Sequence, residues 1–276
     1  MKLQDRIAVI PGASRPIGRA IARRFGSEGA SLVLPVFDWP ESIAEMQEEF
    51  SAAGFDFLSI SADLRKEDEV AALTAAIGQR FTKVDFLINN IERGGMPVVH
   101  GSYDLPHNKG QWDLEFETTL KAKWLLFHHI HPLMQQNERE GAVVNISSVS
   151  ALLGRSGPAA VFFSDGFSAA NRGIQVLTET WARQAGPMVR VNELMLGLIR
   201  GRHGEGTRGW GQLTQEQKRD LHETILLDRT GSPEEVAAAV YFLAVEATYC
   251  TGAILRMDGG FVPGSSKVPP LPEGIL

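Results

Sequence analysis

"RIAVIPGASRPIGRAIARRFGSEGA", Arg6 to Ala30, decides the fold class in one stretch. Arg6 to Ile10 is a short apolar run stopped by Pro11-Gly12, and it reads as a strand. Ile17, Ala20, Ile21 and Phe25 then recur at helical spacing, and Gly29 ends that helix. A strand, a tight glycine turn and a helix in direct succession form the opening unit of an α/β sheet.

The alternation continues along the chain. "SLVLPVF" (31–37) reads as a second strand, although Pro35 argues against it. "FLSISADL" (57–64) is a third, and "KEDEVAALTAAIGQRF" (66–81) is a helix with Val70, Leu73, Ile77 and Phe81 on one face. "VDFLINN" (84–90) is the fourth strand, followed by a long helix from about Gln111 to Gln135. "GAVVNISS" (141–148) is strand five, a helix is expected around Phe167 to Ala185, and "VRVNELM" (189–195) is strand six. "SPEEVAAAVYFLAV" (232–245) is a helix capped by Ser232, with Pro233 at its first position, and "GAILRM" (252–257) closes as strand seven. The strands are apolar on both faces. The expected architecture is therefore a single-domain, Rossmann-like, doubly wound parallel sheet of about seven strands with helices on both faces. The domain is expected over residues 1–263, with a Pro/Gly-rich tail over 264–276.

Composition narrows the function classes. The chain has 276 residues, is 43% hydrophobic and carries a net charge of -6. With no basic block, nothing favours nucleic acid as a partner. Cys250 is the single cysteine, so no internal disulfide forms. No apolar run reaches the roughly 18 residues of a membrane span, and the N-terminus lacks a signal-peptide layout. A cytoplasmic location is expected.

Six segments carry a resemblance. They are "PGASRPIG" (11–18), "SADL" (61–64), "INN" (88–90), "VVNISSVS" (143–150), "VRVNELMLGLIRG" (189–201) and "RTGSPEEVAAAVYFLAVEATYCTGAILRMDGG" (229–260). In this order and at these intervals, the chain resembles the short-chain dehydrogenase/reductase family over nearly its whole length. The resemblance implies hydride transfer to or from NAD(P). A tyrosine then supplies the proton and a lysine lowers its pKa and holds the nicotinamide ribose. A serine orients the carbonyl and an asparagine completes a proton relay.

Carried onto this chain, those roles meet different residues. No Tyr-x-x-x-Lys occurs anywhere. Counting back from Asn192 puts Phe167 at the tyrosine position and Asn171 at the lysine position, with about six extra residues after Ser148. Counting thirteen residues forward from Ser148 gives Val161 and Asp165 instead. The first frame is preferred, because "FSAANRGIQVLTETWARQAGP" reproduces the family helix without a gap; both frames lose both residues. Thr119 takes the relay position, and Ser148 alone is retained. Phenylalanine has no proton to give, a loss worth about 10² to 10⁴ in rate. Ser148 also has a plain reading, as a strand-end hydroxyl bonded to nearby backbone.

The cofactor positions are mixed. Gly12, Ser14, Arg15, Gly18, Asp63 and Asn89 match dinucleotide-contacting positions of the family. Against them, Pro16 replaces the middle glycine of the loop and removes an N–H donor. Pro11 replaces a bracing threonine, Glu92 a glycine beside the adenosine, Leu196 a proline, and Gly201 a threonine that grips the carboxamide. The usual NAD-selecting acid aligns near Val36; Asp38 is two residues late and fits a turn equally well.

Other candidates are weaker. His128 and His131 in "HHIH" share a helical face without an evident third metal ligand, and no metal is expected. Glu92, Arg93, His100, Tyr103 and His107 follow strand four and offer a new acid–base pair or a plain loop. Arg200, Arg202, His203 and Arg208 occupy the family's substrate lid and offer an anion site or a solvated loop.

Three functions follow. The first is a non-catalytic subunit, binding no cofactor itself and paired in a hetero-oligomer, expected to be a tetramer, with an active NAD-dependent relative. In this the chain resembles the inactive subunit of heteromeric family members, one type of which oxidises 2-[hydroxy(phenyl)methyl]succinyl-CoA in anaerobic toluene degradation. The second is an atypical NAD(P)-dependent oxidoreductase with another proton donor, such as Tyr103. The third is a lyase or isomerase on the same scaffold.

Overall fold

The computed structural model describes residues 2–92, 106–138, 140–161, 163–201 and 210–264. The strands are β1 (Ile7–Val9), β2 (Ser31–Val36), β3 (Phe57–Ser61), β4 (Phe86–Asn89), β5 (Gly141–Ser148), β6 (Val189–Leu196) and β7 (Ile254–Met257). They form one seven-stranded sheet in the order β3-β2-β1-β4-β5-β6-β7, and every pairing is parallel. The order reverses beside β1. That switch opens a crevice at the carboxyl ends of the strands, where doubly wound folds place their ligands.

Helices cover both faces. On one side α1 (Pro16–Ser27), α2 (Pro40–Ala52) and α9 (Pro233–Tyr241) bury Phe25, Phe50 and Tyr241. On the other, α3 (Glu67–Phe81), α5 (Ala122–Met134) and α7 (Asp165–Ala185) bury Ile77, Phe127 and Trp181. Phe127 and Trp181 stack with centroids 4.3 Å apart. α9 starts with a reciprocal capping box, in which Ser232 accepts from the Glu235 N–H and Glu235 accepts from the Ser232 N–H.

Pro35 is a strand residue after all, and the pairing explains why. Odd residues of β2 bond to β1: Ser31 N–H donates to Arg6 and Val33 accepts from Ile10. Even residues bond to β3, as when Leu32 N–H donates to Asp56. The missing Pro35 donor therefore faces the β1 side, where β1 has already ended at Val9.

The single long helix expected from Gln111 is α4 (Pro106–Phe116) running into α5 through a π-helical turn, Glu117–Lys121. A short α6 (Ser150–Leu153) follows β5. Among the α-helices of the described residues, α2, α8 (Gln215–Thr224) and the short α6 were not foreseen in the sequence. Of the tail, residues 265–276 lie outside the described residues. No helix among the described residues is long and apolar enough to cross a membrane.

Candidate functional site

The four positions expected to be catalytic lie on β5, α7 and the π-turn, and α7 packs against both of the others. Ser164 caps α7 by accepting the Phe167 N–H at 3.1 Å, which sets Phe167 in the first turn and Asn171 one turn later. Phe167 is fully buried and packs with Val149 and Met195. Asn171 is fully buried too, and its amide turns back onto its own helix, donating to the Phe167 carbonyl at 2.9 Å. In the other frame, Asp165 is exposed to solvent. Ser148, at the end of β5, accepts the Ser150 N–H at 3.2 Å, the backbone bond of the plain reading. Thr119 is buried in the π-turn, and its carbonyl accepts from the Lys123 ammonium at 3.1 Å.

Lys123 was not singled out in the sequence, and it is fully buried. So are Glu115 and Glu193. Glu115 accepts from Ser164 Oγ at 2.6 Å and from Gln111 at 3.0 Å, fastening α4 to the start of α7. Glu193 lies in register with Asn145, and Asn145 with Asn89, so one polar row crosses three strands. Asn89 donates to Asn145 at 2.8 Å, Asn145 to Thr178 at 2.9 Å, and Ser147 to Glu193. Burial pushes the Glu193 carboxyl above its usual range, and the Ser147 bond and the Lys123 and Arg172 charges pull it back. A carboxylate at the centre of the strand "VRVNELM" was the available signal.

The positions expected to contact a dinucleotide lie largely around the start of α1. Gly12 has φ +72°, and a Cβ there would lie 2.6 Å from the Asn90 carbonyl oxygen. A Cβ on Gly18 would lie 2.2 Å from the Gly12 carbonyl oxygen. Both glycines are thus required by packing alone. Ser14 is buried in the same turn, and Arg15 precedes α1 with its guanidinium 4.5 Å from the Trp39 ring. Pro16 is the first residue of α1, a position that suits proline and offers no N–H. A Cβ on Gly201 would lie 3.6 Å from the Pro16 ring, an ordinary van der Waals contact. Asn89 spends its amide within the sheet.

Asp63 lies beyond β3 and is held by its neighbour. Arg65 binds its carboxylate through both Nε and an amino nitrogen, each at 2.8 Å, and so keeps its pKa below the usual range against the effect of burial. Asp38 sits exposed in the bend between β2 and α2.

The comparisons with known proteins place this geometry. Residues 12–262 match the family model described as Enoyl-(Acyl carrier protein) reductase. Glucose 1-dehydrogenase 2 of Bacillus subtilis is 33% identical over 94% of this chain and 95% of its own. The chain belongs to the short-chain dehydrogenase/reductase family. Another family relative, the 3-oxoacyl-[acyl-carrier-protein] reductase FabG of Thermotoga maritima, is 28% identical over 95% of this chain and all of its own. A short-chain dehydrogenase/reductase structure from Burkholderia xenovorans superposes with a TM-score of 0.79 at 28% identity, covering 95% of this chain and 98% of the other.

The remaining candidates separate. His128 is exposed and stacks on Trp124, whereas His131 is buried against Phe127, so the two do not converge. Among the described residues, no group of three or more His, Cys, Asp or Glu could hold a metal. Glu92 is half-buried just beyond β4. Arg93, His100, Tyr103, Arg202, His203 and Arg208 lie outside the described residues, and the His107 side chain does too.

Proposed function

We propose that this member of an oxidoreductase family is a non-catalytic subunit, partnered in a hetero-oligomer with an active NAD-dependent relative. One observation carries the reading: the proton donor's place holds a fully buried phenylalanine, Phe167, and the lysine's place an asparagine bonded to the Phe167 carbonyl. Neither group can give a proton or depress a pKa.

The residues present do not fit ordinary dinucleotide binding. Pro16 removes a donor at the head of α1, and Arg65 occupies the Asp63 carboxylate. The retained Gly12 and Gly18 are accounted for by Asn90 and by each other, so they do not speak for a cofactor. The nicotinamide cofactor therefore belongs to the partner.

A second reading is an oxidoreductase with a different proton donor. The end-to-end likeness to proteins named as a dehydrogenase and a reductase favours it. The deciding experiment is coexpression with an intact family member encoded beside this gene, followed by size exclusion with mass analysis. One species containing both chains is expected. Separate elution at micromolar concentration, with this chain a stable homotetramer alone, overturns the proposal.

A further inference from the structure

α7 runs alongside α4 and α5 in a register that the contacts fix. A Cβ on Gly166 would lie 2.5 Å from Glu115 Oε2, and one on Gly173 would lie 3.0 Å from the Leu120 side chain. Further along, Phe127 stacks on Trp181. Interpolating between these contacts sets Thr119 opposite Asn171. Lys123 follows one turn later, but helical side chains lean toward the helix N-terminus. Its ammonium reaches back to the Thr119 carbonyl, 3.1 Å away, and so stands at the level of Asn171.

We propose that Lys123 supplies, from α5, the buried positive charge that the family takes from α7, and that this charge acts on the space around Phe167. Glu193 from β6 is its counter-charge; among the described residues, Glu115 from α4, beside Gly166, and the exposed Arg172 from α7 also bring charge to this region. The placement also accounts for Asn171. A lysine there would set two ammonium groups in one buried space, and like charges disfavour each other strongly when desolvated. A neutral residue is what Lys123 leaves room for. The chain therefore lacks the hydroxyl of the site but keeps a cation.

The test reads charge directly, with no substrate and no partner subunit, so it stands apart from the subunit proposal. Phe167→Tyr introduces a hydroxyl as a probe, and its ionisation is followed by tyrosinate absorbance against the parent protein while circular dichroism remains native. Comparison with Phe167→Tyr/Lys123→Met isolates the cation. Removing it should lower the ionisation constant about tenfold or more, and Phe167→Tyr/Lys123→Arg should preserve it. Equal ionisation constants with and without Lys123 overturn the proposal. A second pair guards against misfolding of those variants. Asn171→Lys should lower the unfolding midpoint, and adding Lys123→Gln should recover at least half of the loss; losses that simply add would refute the shared space.

Discussion

Replacing Arg190 by alanine should destabilise the C-terminal third of the domain more than any other single charge removal on β6. Its guanidinium donates to the carbonyls of Leu243 at 2.8 Å, Ala247 at 2.9 Å and Ala244 at 2.7 Å. These carbonyls end α9 and the π-helical turn Phe242–Glu246, where intrahelical donors run out. Burial pushes the Arg190 pKa down, which marks the charge as partly desolvated. Hydrogen bonds from charged groups contribute about 1.5–3 kcal/mol each. Arg190 is only half-buried, so water recovers part of that, and a total of about 3 kcal/mol is expected for Arg190→Ala. At about 2–4 °C per kcal/mol for a chain of this size, the midpoint should fall by about 6–12 °C. Arg190→Lys keeps the charge but not the fork, and should lose about half as much. Arg183→Ala is the control. Its side chain is 75% exposed and pairs with Glu179 at 3.8 Å, so a change within about 0.5 kcal/mol is expected. Urea unfolding measures the free energies and thermal unfolding the midpoints of all three. A loss below about 1 kcal/mol for Arg190→Ala would refute the assignment of those carbonyls to this one side chain.

Two further outcomes concern acid stability and the site. Glu235 is held at about 2, below its ordinary 4.5, by hydrogen bonds from Arg229 and the Ser232 N–H. A depressed folded-state pKa gives stability that is complete above the unfolded value and is lost as the pH falls from 4.5 toward 2. With its side chain 39% exposed, solvent screening leaves about 1 kcal/mol, which Glu235→Gln should remove; identical pH slopes of urea unfolding for parent and variant would contradict this. Phe167→Tyr/Asn171→Lys should restore no NAD(P)-linked turnover, followed by nicotinamide absorbance with alcohols and ketones, because Pro16 still stands at the cofactor loop. Turnover above about 1 per second would show that loop to be sound.

The sheet was legible because its signals are local. β5 and the capping box of α9 follow from apolar runs and cap residues. α2 escaped because it begins after Trp39 in a left-handed conformation, with no side-chain cap to announce it. Pro35 misleads in isolation, since what decides its tolerance is where the neighbouring strand ends. The site divides in the same way. Phe167 and Asn171 could be placed on α7 because the pattern of that helix is local. Lys123, Glu115 and Glu193 were not singled out, because their meaning depends on which helix faces which strand. The Arg65 clasp on Asp63 is two residues long in sequence, yet it exists only once the chain has turned after β3.

The most direct measurement of the central claim is calorimetric titration of the purified chain with NADH and NADPH. Replacement of the loop donor by Pro16 and the occupied Asp63 carboxylate together predict no saturable binding tighter than about 1 mM, about -4 kcal/mol. A low-micromolar dissociation constant, about -8 kcal/mol, would contradict the account and return the chain to the catalytic members of its family.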